Sequence, residues 1–134
     1  MRYMLDTNIC IYIIKRHPVE VLNRLEAMRQ GDATMSVITY AELRAGLEMQ
    51  TVSRSHDEHV LGLLTQRIPV LPFDEVAAAS YGLLRAAVRE RNRNALDRMI
   101  AAHAVSVGAT LVTNNAADFV GYPGLVLENW IGLP

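Results

Sequence analysis

The chain alternates short, β-branched apolar segments with longer stretches whose apolar residues recur three and four positions apart. Arg2 to Leu5 reads as a strand and Asn8 to Lys15 as a helix, punctuated by His17-Pro18. From Val19 to Arg29, the residues Val21, Leu22, Leu25 and Met28 have the spacing of an amphipathic helix. A turn at Gln30 to Asp32 leads to a buried strand, Thr34 to Ile38. Thr39 to Gln50 returns to helix with Tyr40, Leu43 and Leu47 on one face, and after a polar break at Thr51 to Ser55 comes a helix from His56 to Gln66. Ile68 to Phe73 is a strand bounded by prolines, and Asp74 to Arg91 is a long alanine-rich helix capped by Asp74. Arg91 to Asn94 breaks that helix. Leu96, Met99, Ile100, Ala104 and Val107 form the apolar stripe of the next, which Gly108 ends. Ala109 to Thr113 is another buried strand, and Leu125 to Leu127 a last, short one.

Strands therefore alternate with helices from end to end, the pattern of a parallel sheet covered on both faces. The expected fold is a three-layer α/β/α domain with a central parallel sheet of about 4–5 strands, its crossovers right-handed. No linker, repeat or low-complexity segment interrupts the chain, so residues 1–134 are read as one domain.

Composition narrows the class. Hydrophobic residues make up 51 % and charged residues 20 %, with a mean hydropathy of +0.13, as in a globular protein with a real core. The formal net charge of −1 excludes a polycation, so any nucleic-acid contact needs a local basic patch. Cys10 is the only cysteine, which rules out an internal disulfide and fits a reducing, cytoplasmic setting. No signal peptide is visible, and no stretch approaches the ~18–20 apolar residues of a membrane helix.

Three acids stand in similar seams. Asp6 follows the first strand, Glu42 lies in the first turn of the helix after the second, and Asp97 in the first turn of the helix that begins near Asn94. In an open parallel sheet those helix starts gather at the carboxyl edge, where ligands bind. Acids also favour helix N-termini for a plainer reason, as acceptors for free N–H groups. Thr39 and Glu42 match a capping box, and Asn94 with Asp97 resembles one. Pattern alone does not choose between caps and a shared site. If the acids converge, their mutual repulsion calls for a hard divalent cation such as Mg²⁺, and such a site suits phosphodiester hydrolysis.

The segments "MLDTNICIYII", "SVITYAEL", "LDRMIAAHA" and "LVTNNAADF" resemble the successive motifs of PIN-domain ribonucleases. The chain is similar, over essentially its whole length, to the VapC-type toxins of bacterial type II toxin–antitoxin systems. The resemblance implies an endoribonuclease dependent on Mg²⁺, with Mn²⁺ able to substitute. It also implies a VapB-like antitoxin partner and a homodimer that assembles with the antitoxin, which alone would touch DNA. Asp6, Glu42 and Asp97 match the family's first three metal-binding acids. Many PIN domains carry a fourth, an aspartate two residues after the threonine that ends the fourth main strand. Here Thr113 is followed by Asn114 and Asn115, so Asp118 is the nearest carboxylate. That departure bears on whether a second metal binds. Thr113 is expected to hold the acids through its hydroxyl. The resemblance implies tRNA as the first expected substrate, with the anticodon loop of initiator tRNA foremost.

Arg85, Arg89, Arg91, Arg93 and Arg98 crowd into 14 residues with only Glu90 and Asp97 opposing, a local balance of +3. Such a patch suits RNA phosphates, although a solvated helix face is the commoner fate of a charge run. Arg85 and Arg89, one helical turn apart, are expected to share a face, with Arg98 beside Asp97. An antitoxin tail is the other anion they could hold. His103 falls on the apolar stripe and is read as a core histidine with a local partner. Cys10 is read as packing, and Trp130 as folded onto the domain. Met49 is a candidate for a dimer face. Two other classes were weighed. A non-catalytic binding module acting through an antitoxin and operator complex draws support from the uncharged Asn115. A receiver-like domain fails, because it needs paired acids after the first strand and a late lysine, whereas Lys15 is the only lysine.

Overall fold

In the computed structural model, which describes residues 2–50, 52–89 and 95–132, five parallel strands form one sheet flanked by helices. The strands are β1 (Tyr3–Leu5), β2 (Ala33–Ser36), β3 (Val70–Leu71), β4 (Thr110–Val112) and β5 (Leu127–Glu128), in the order β3-β2-β1-β4-β5. The helices are α1 (Thr7–Lys15), α2 (Val19–Glu26), α3 (Val37–Glu48), α4 (Arg54–Arg67), α5 (Glu75–Ala87) and α6 (Ala95–Val107). A short 3-10 helix, Ala116–Phe119, follows β4. The expected three-layer α/β/α class is the class observed.

The two cores follow from the two-residue period of the strands. Leu5 and Val112 point to one face, where they meet Ile9, Ile13, Val21, Leu25, Leu47 and Leu61 from α1 to α4. Met4 and Leu111 point to the other, against Leu84, Ile100, Ala101 and Ala104 of α5 and α6. The fully buried strands read as apolar runs because both faces are covered. β1 pairs with β2 (Tyr3↔Ala33) and with β4 (Leu5↔Val112), so the chain first builds outward on one side of β1 and later on the other. That reversal places a crevice at the carboxyl edge between β1 and β4.

Several boundaries differ from expectation, each for a local reason. The strand expected over residues 34–38 stops at Ser36, whose side chain accepts from the Ile38 N–H and caps α3, so Val37 and Ile38 are helical despite their β-branching. Thr39 is therefore inside the helix, not its cap. The proline-bounded strand contracts to Val70–Leu71. The helix capped by Asp74, whose Oδ1 accepts from the Ala77 N–H at 2.9 Å, ends at Ala87, where Val88 turns extended. The last strand lies at Leu127–Glu128 rather than 125–127. The Asn94 cap and the loop arginines Arg91 and Arg93 fall outside the described residues.

Buried side chains on the strands and helices behave as read. Cys10 is fully buried, and burial pushes its thiol above the usual range. Trp130 is fully buried, edge-on to Tyr3 and beneath the Arg24 guanidinium, and its indole N–H donates to Glu128 at 3.1 Å. His103 is 1 % exposed; its Nδ1 lies 2.7 Å from Ser36 Oγ, and its ring stands edge-on to Phe73. Ser36 Oγ thus serves both the Ile38 N–H and the His103 ring, and the Pro72 carbonyl also acts on that ring.

Candidate active site at the carboxyl edge of the sheet

Asp6 ends β1 and caps α1: its Oδ1 accepts from the Ile9 N–H at 3.0 Å. The cap and site readings are thus compatible, since Oδ1 serves the helix while the same carboxylate meets the Thr113 hydroxyl and the charge of Glu42. Burial raises its pKa, and the neighbouring Glu42 adds to the rise. The Thr113 hydroxyl and the N–H groups of Ile9 and Asn8 oppose it. Thr113, fully buried at the end of β4, also accepts from the Asn115 N–H at 3.0 Å, so it braces the β4 exit against Asp6. This is the bracing role expected of its hydroxyl.

Glu42 lies in the second turn of α3, not the first, because the helix begins at Val37. Its Oε1 accepts from Thr7 Oγ1 at 2.6 Å. The capping-box reading of Thr39 and Glu42 is therefore overturned, and the carboxylate is turned instead towards α1. Asp97, in the first turn of α6, is half-buried with its pKa pushed up to about 6. Burial is the largest cause, followed by the charges of Glu42, Asp6 and Asp118. Helices α3 and α6 and the exits of β1 and β4 thus bring four acids, spread from position 6 to position 118, within electrostatic reach of one another. Among the described residues, no cation offsets them in raising Asp97.

The fourth acid is Asp118, on the 3-10 helix. Asn115, two residues after Thr113, donates its side-chain amide to the Asp118 carboxylate and so orients it. The basic residues fare differently. Arg85 is half-buried on α5 and donates to the Tyr81 hydroxyl at 3.1 Å. Arg89 is exposed but lies past the end of α5, so the two do not share the helical face expected of them. Arg98 is only 5 % exposed, packed into α6 rather than presented on the surface. The helix ended earlier than its alanine-rich sequence indicated, and this removed the shared register.

The donor set at this edge is all oxygen and carries excess negative charge. Among the described residues no group of three or more acidic, histidine or cysteine side chains is gathered so as to hold a metal ion together. An open set of this kind fits a hydrated hard cation held through one or two carboxylates, not a soft or tightly enclosed one. Beside Glu42 runs a mainly apolar groove of about 450 Å³ between α1, α3 and α4, lined by Ile11, Ile14, Leu43, Leu47, Val60 and Leu61 among others. Sequence reasoning missed Thr7. It sits in the quoted "LDTN" seam, and a hydroxyl directly after a candidate acid was the available signal.

Comparison with known proteins agrees with this geometry. The PIN domain family model matches residues 3–123, and the chain belongs to that family. It is 36 % identical to Ribonuclease VapC2 of Rickettsia felis over 133 residues, covering 97 % of this chain and 98 % of that one. It is 38 % identical to the tRNA(fMet)-specific endonuclease VapC of Shigella flexneri over 132 residues, with the same coverage. Among solved structures, VapBC2 from Rickettsia felis bound to a promoter DNA fragment superposes with a TM-score of 0.88 at 35 % identity, over 97 % of this chain and 99 % of that one. FitAB bound to the IR36 DNA fragment gives 0.79 at 28 %, over 98 % and 97 %. Among PIN domains, the chain is of the VapC ribonuclease toxin type. Among the described residues, no helix is long and apolar enough to cross a membrane.

Proposed function

We propose that the protein is a Mg²⁺-dependent endoribonuclease, with Mn²⁺ able to substitute, that hydrolyses phosphodiester bonds in RNA as the toxin of a toxin–antitoxin pair. The observation that carries the reading is the approach of Glu42, Asp6 and Asp118 to Asp97 at one sheet edge, where burial and these three charges push the Asp97 carboxyl up to about 6. A structure made of plain helix caps has no reason to crowd four acids against one another. Asp6, Asp97 and Glu42 would hold the cation, which when bound supplies an activated water and neutralises phosphoryl charge. Asp6 is kept rigid by its cap to Ile9 and by Thr113. Glu42, turned by Thr7, is the acid placed to orient the attacking water and take its proton. Asp118, steered by Asn115, supplies the charge that Asn115 lacks.

RNA with unstacked loops is the accessible substrate, and tRNA is the first to test, the anticodon loop of initiator tRNA foremost. The name of the Shigella flexneri relative supports that choice. A VapB-like antitoxin is the proposed partner, and the groove beside Glu42 offers an apolar segment a seat next to the acids. A homodimer is proposed as the unit that assembles with it; Met49, Val76 and Leu83 are exposed apolar residues available to such contacts.

The test is incubation with total bacterial RNA, with and without Mg²⁺ or Mn²⁺, followed by sequencing of new ends. Discrete metal-dependent cuts, absent in Asp6→Asn and Asp97→Asn, are expected. No cuts by folded wild type with either metal would favour a binding module that acts through the antitoxin complex.

A further inference from the structure

We propose that Thr7 is a positioning residue for Glu42, its hydroxyl fixing which carboxylate oxygen of Glu42 faces the other acids. This rests on the catalytic reading above. Thr7 is the first residue of α1, directly after Asp6, so its placement is locked to that acid. Its Oγ1 lies 2.6 Å from Glu42 Oε1 and 3.4 Å from Thr39 Oγ1. A hydroxyl has one proton, and the short bond to a carboxylate takes it. The Thr39 hydroxyl lies beside it at the outer edge of hydrogen-bond distance.

Thr39 and Glu42 are three residues apart on α3, so both reach the same neighbouring helix. Thr39 is 0 % exposed and inside the helix, where a β-branched hydroxyl residue has no propensity advantage. Its hydroxyl faces Thr7 across the interface between α1 and α3. With Oε1 engaged by Thr7, the carboxylate loses its freedom to rotate. Oε2 is left free of Thr7, and Glu42 is the strongest of the charges acting on Asp97. Thr7 thus couples α1, which carries Asp6, to α3, which carries Glu42, through a contact 35 residues apart in sequence.

The test compares wild type with Thr7→Val and Thr7→Ser. Three quantities are read: Mn²⁺ affinity by calorimetry without RNA, kcat and KM on a tRNA substrate, and the Glu42 side chain in crystals of each variant. Thr7→Val is expected to fold, to bind Mn²⁺ ~10-fold more weakly and to lose ~10–100-fold in kcat, the scale of one hydrogen bond to a charged group. KM is expected to stay within about twofold, because Thr7 does not meet the RNA. Thr7→Ser is expected to restore both, and Glu42 to leave its wild-type rotamer in Thr7→Val alone. Wild-type affinity and kcat in Thr7→Val, or an unmoved Glu42, would overturn the proposal. A wild type that neither binds metal nor cuts RNA, with Glu42 still displaced in Thr7→Val, would overturn the catalytic reading while leaving the positioning contact standing.

Discussion

Replacing Asp97 with asparagine should make the metal-free protein more stable while abolishing cleavage. The carboxyl is raised from 3.8 to about 6 in the folded state, first by burial and then by Glu42, Asp6 and Asp118. At about 1.4 kcal/mol per pH unit, that rise corresponds to ~3 kcal/mol of disfavoured ionisation. Asp97 is only half-buried, so solvent screening reduces this to ~1.5 kcal/mol. The folded pKa lies above the unfolded one, so the folded state holds its proton after the unfolded chain has lost it. Stability from this group is therefore complete below pH ~4, falls between pH ~4 and ~6, and is flat above. Asp97→Asn removes the fall. For a chain of this size the gain at pH 7 should raise Tm by ~5 °C. The assay is thermal melting by circular dichroism in EDTA, from pH 4 to 8, on both proteins. Acids outside this cluster cancel in the difference between the two curves, which should open mainly between pH ~4 and ~6, where the cluster titrates. Adding Mn²⁺ at pH 7 should raise the wild-type Tm and leave the variant unmoved. Superposed curves at every pH would refute the idea that these acids crowd one another.

Three further outcomes follow from the same geometry. Asp6→Asn keeps an acceptor for the Ile9 N–H but loses the charge, so it should melt at or above the wild-type temperature in EDTA yet fail to cut RNA, whereas Asp6→Ala should melt lower by the value of a lost cap, ~1 kcal/mol. Trp130→Ala empties a fully buried site under Arg24 and beside Tyr3, and urea unfolding should report a loss of ~3–5 kcal/mol. His103→Phe keeps the ring but strands the Ser36 hydroxyl in the core, and unfolding measurements should show ~1–3 kcal/mol lost. The histidine pKa is lowered, chiefly by burial, so the His103 contribution should be present at neutral pH and fade as pH falls through that lowered value.

By itself the sequence determined the alternation of strands and helices, because a strand buried on both faces must be a short apolar run and a covering helix must carry a 3.6-residue stripe. It also determined Asp6 and Asp97 at helix starts and the core roles of Cys10, His103 and Trp130, since each of these is written in local residue types. Tertiary structure decided the rest. Ser36 became the cap of α3, and that alone carried Glu42 out of the capping box and into contact with Thr7. α5 ended at Ala87, which separated Arg85 from Arg89, while packing around α6 buried Arg98. Whether Asp6, Glu42, Asp97 and Asp118 meet was undecidable from spacing. Acids at helix starts stabilise those starts wherever they lie, and only the β3-β2-β1-β4-β5 order, with its reversal at β1, brings these four to one edge.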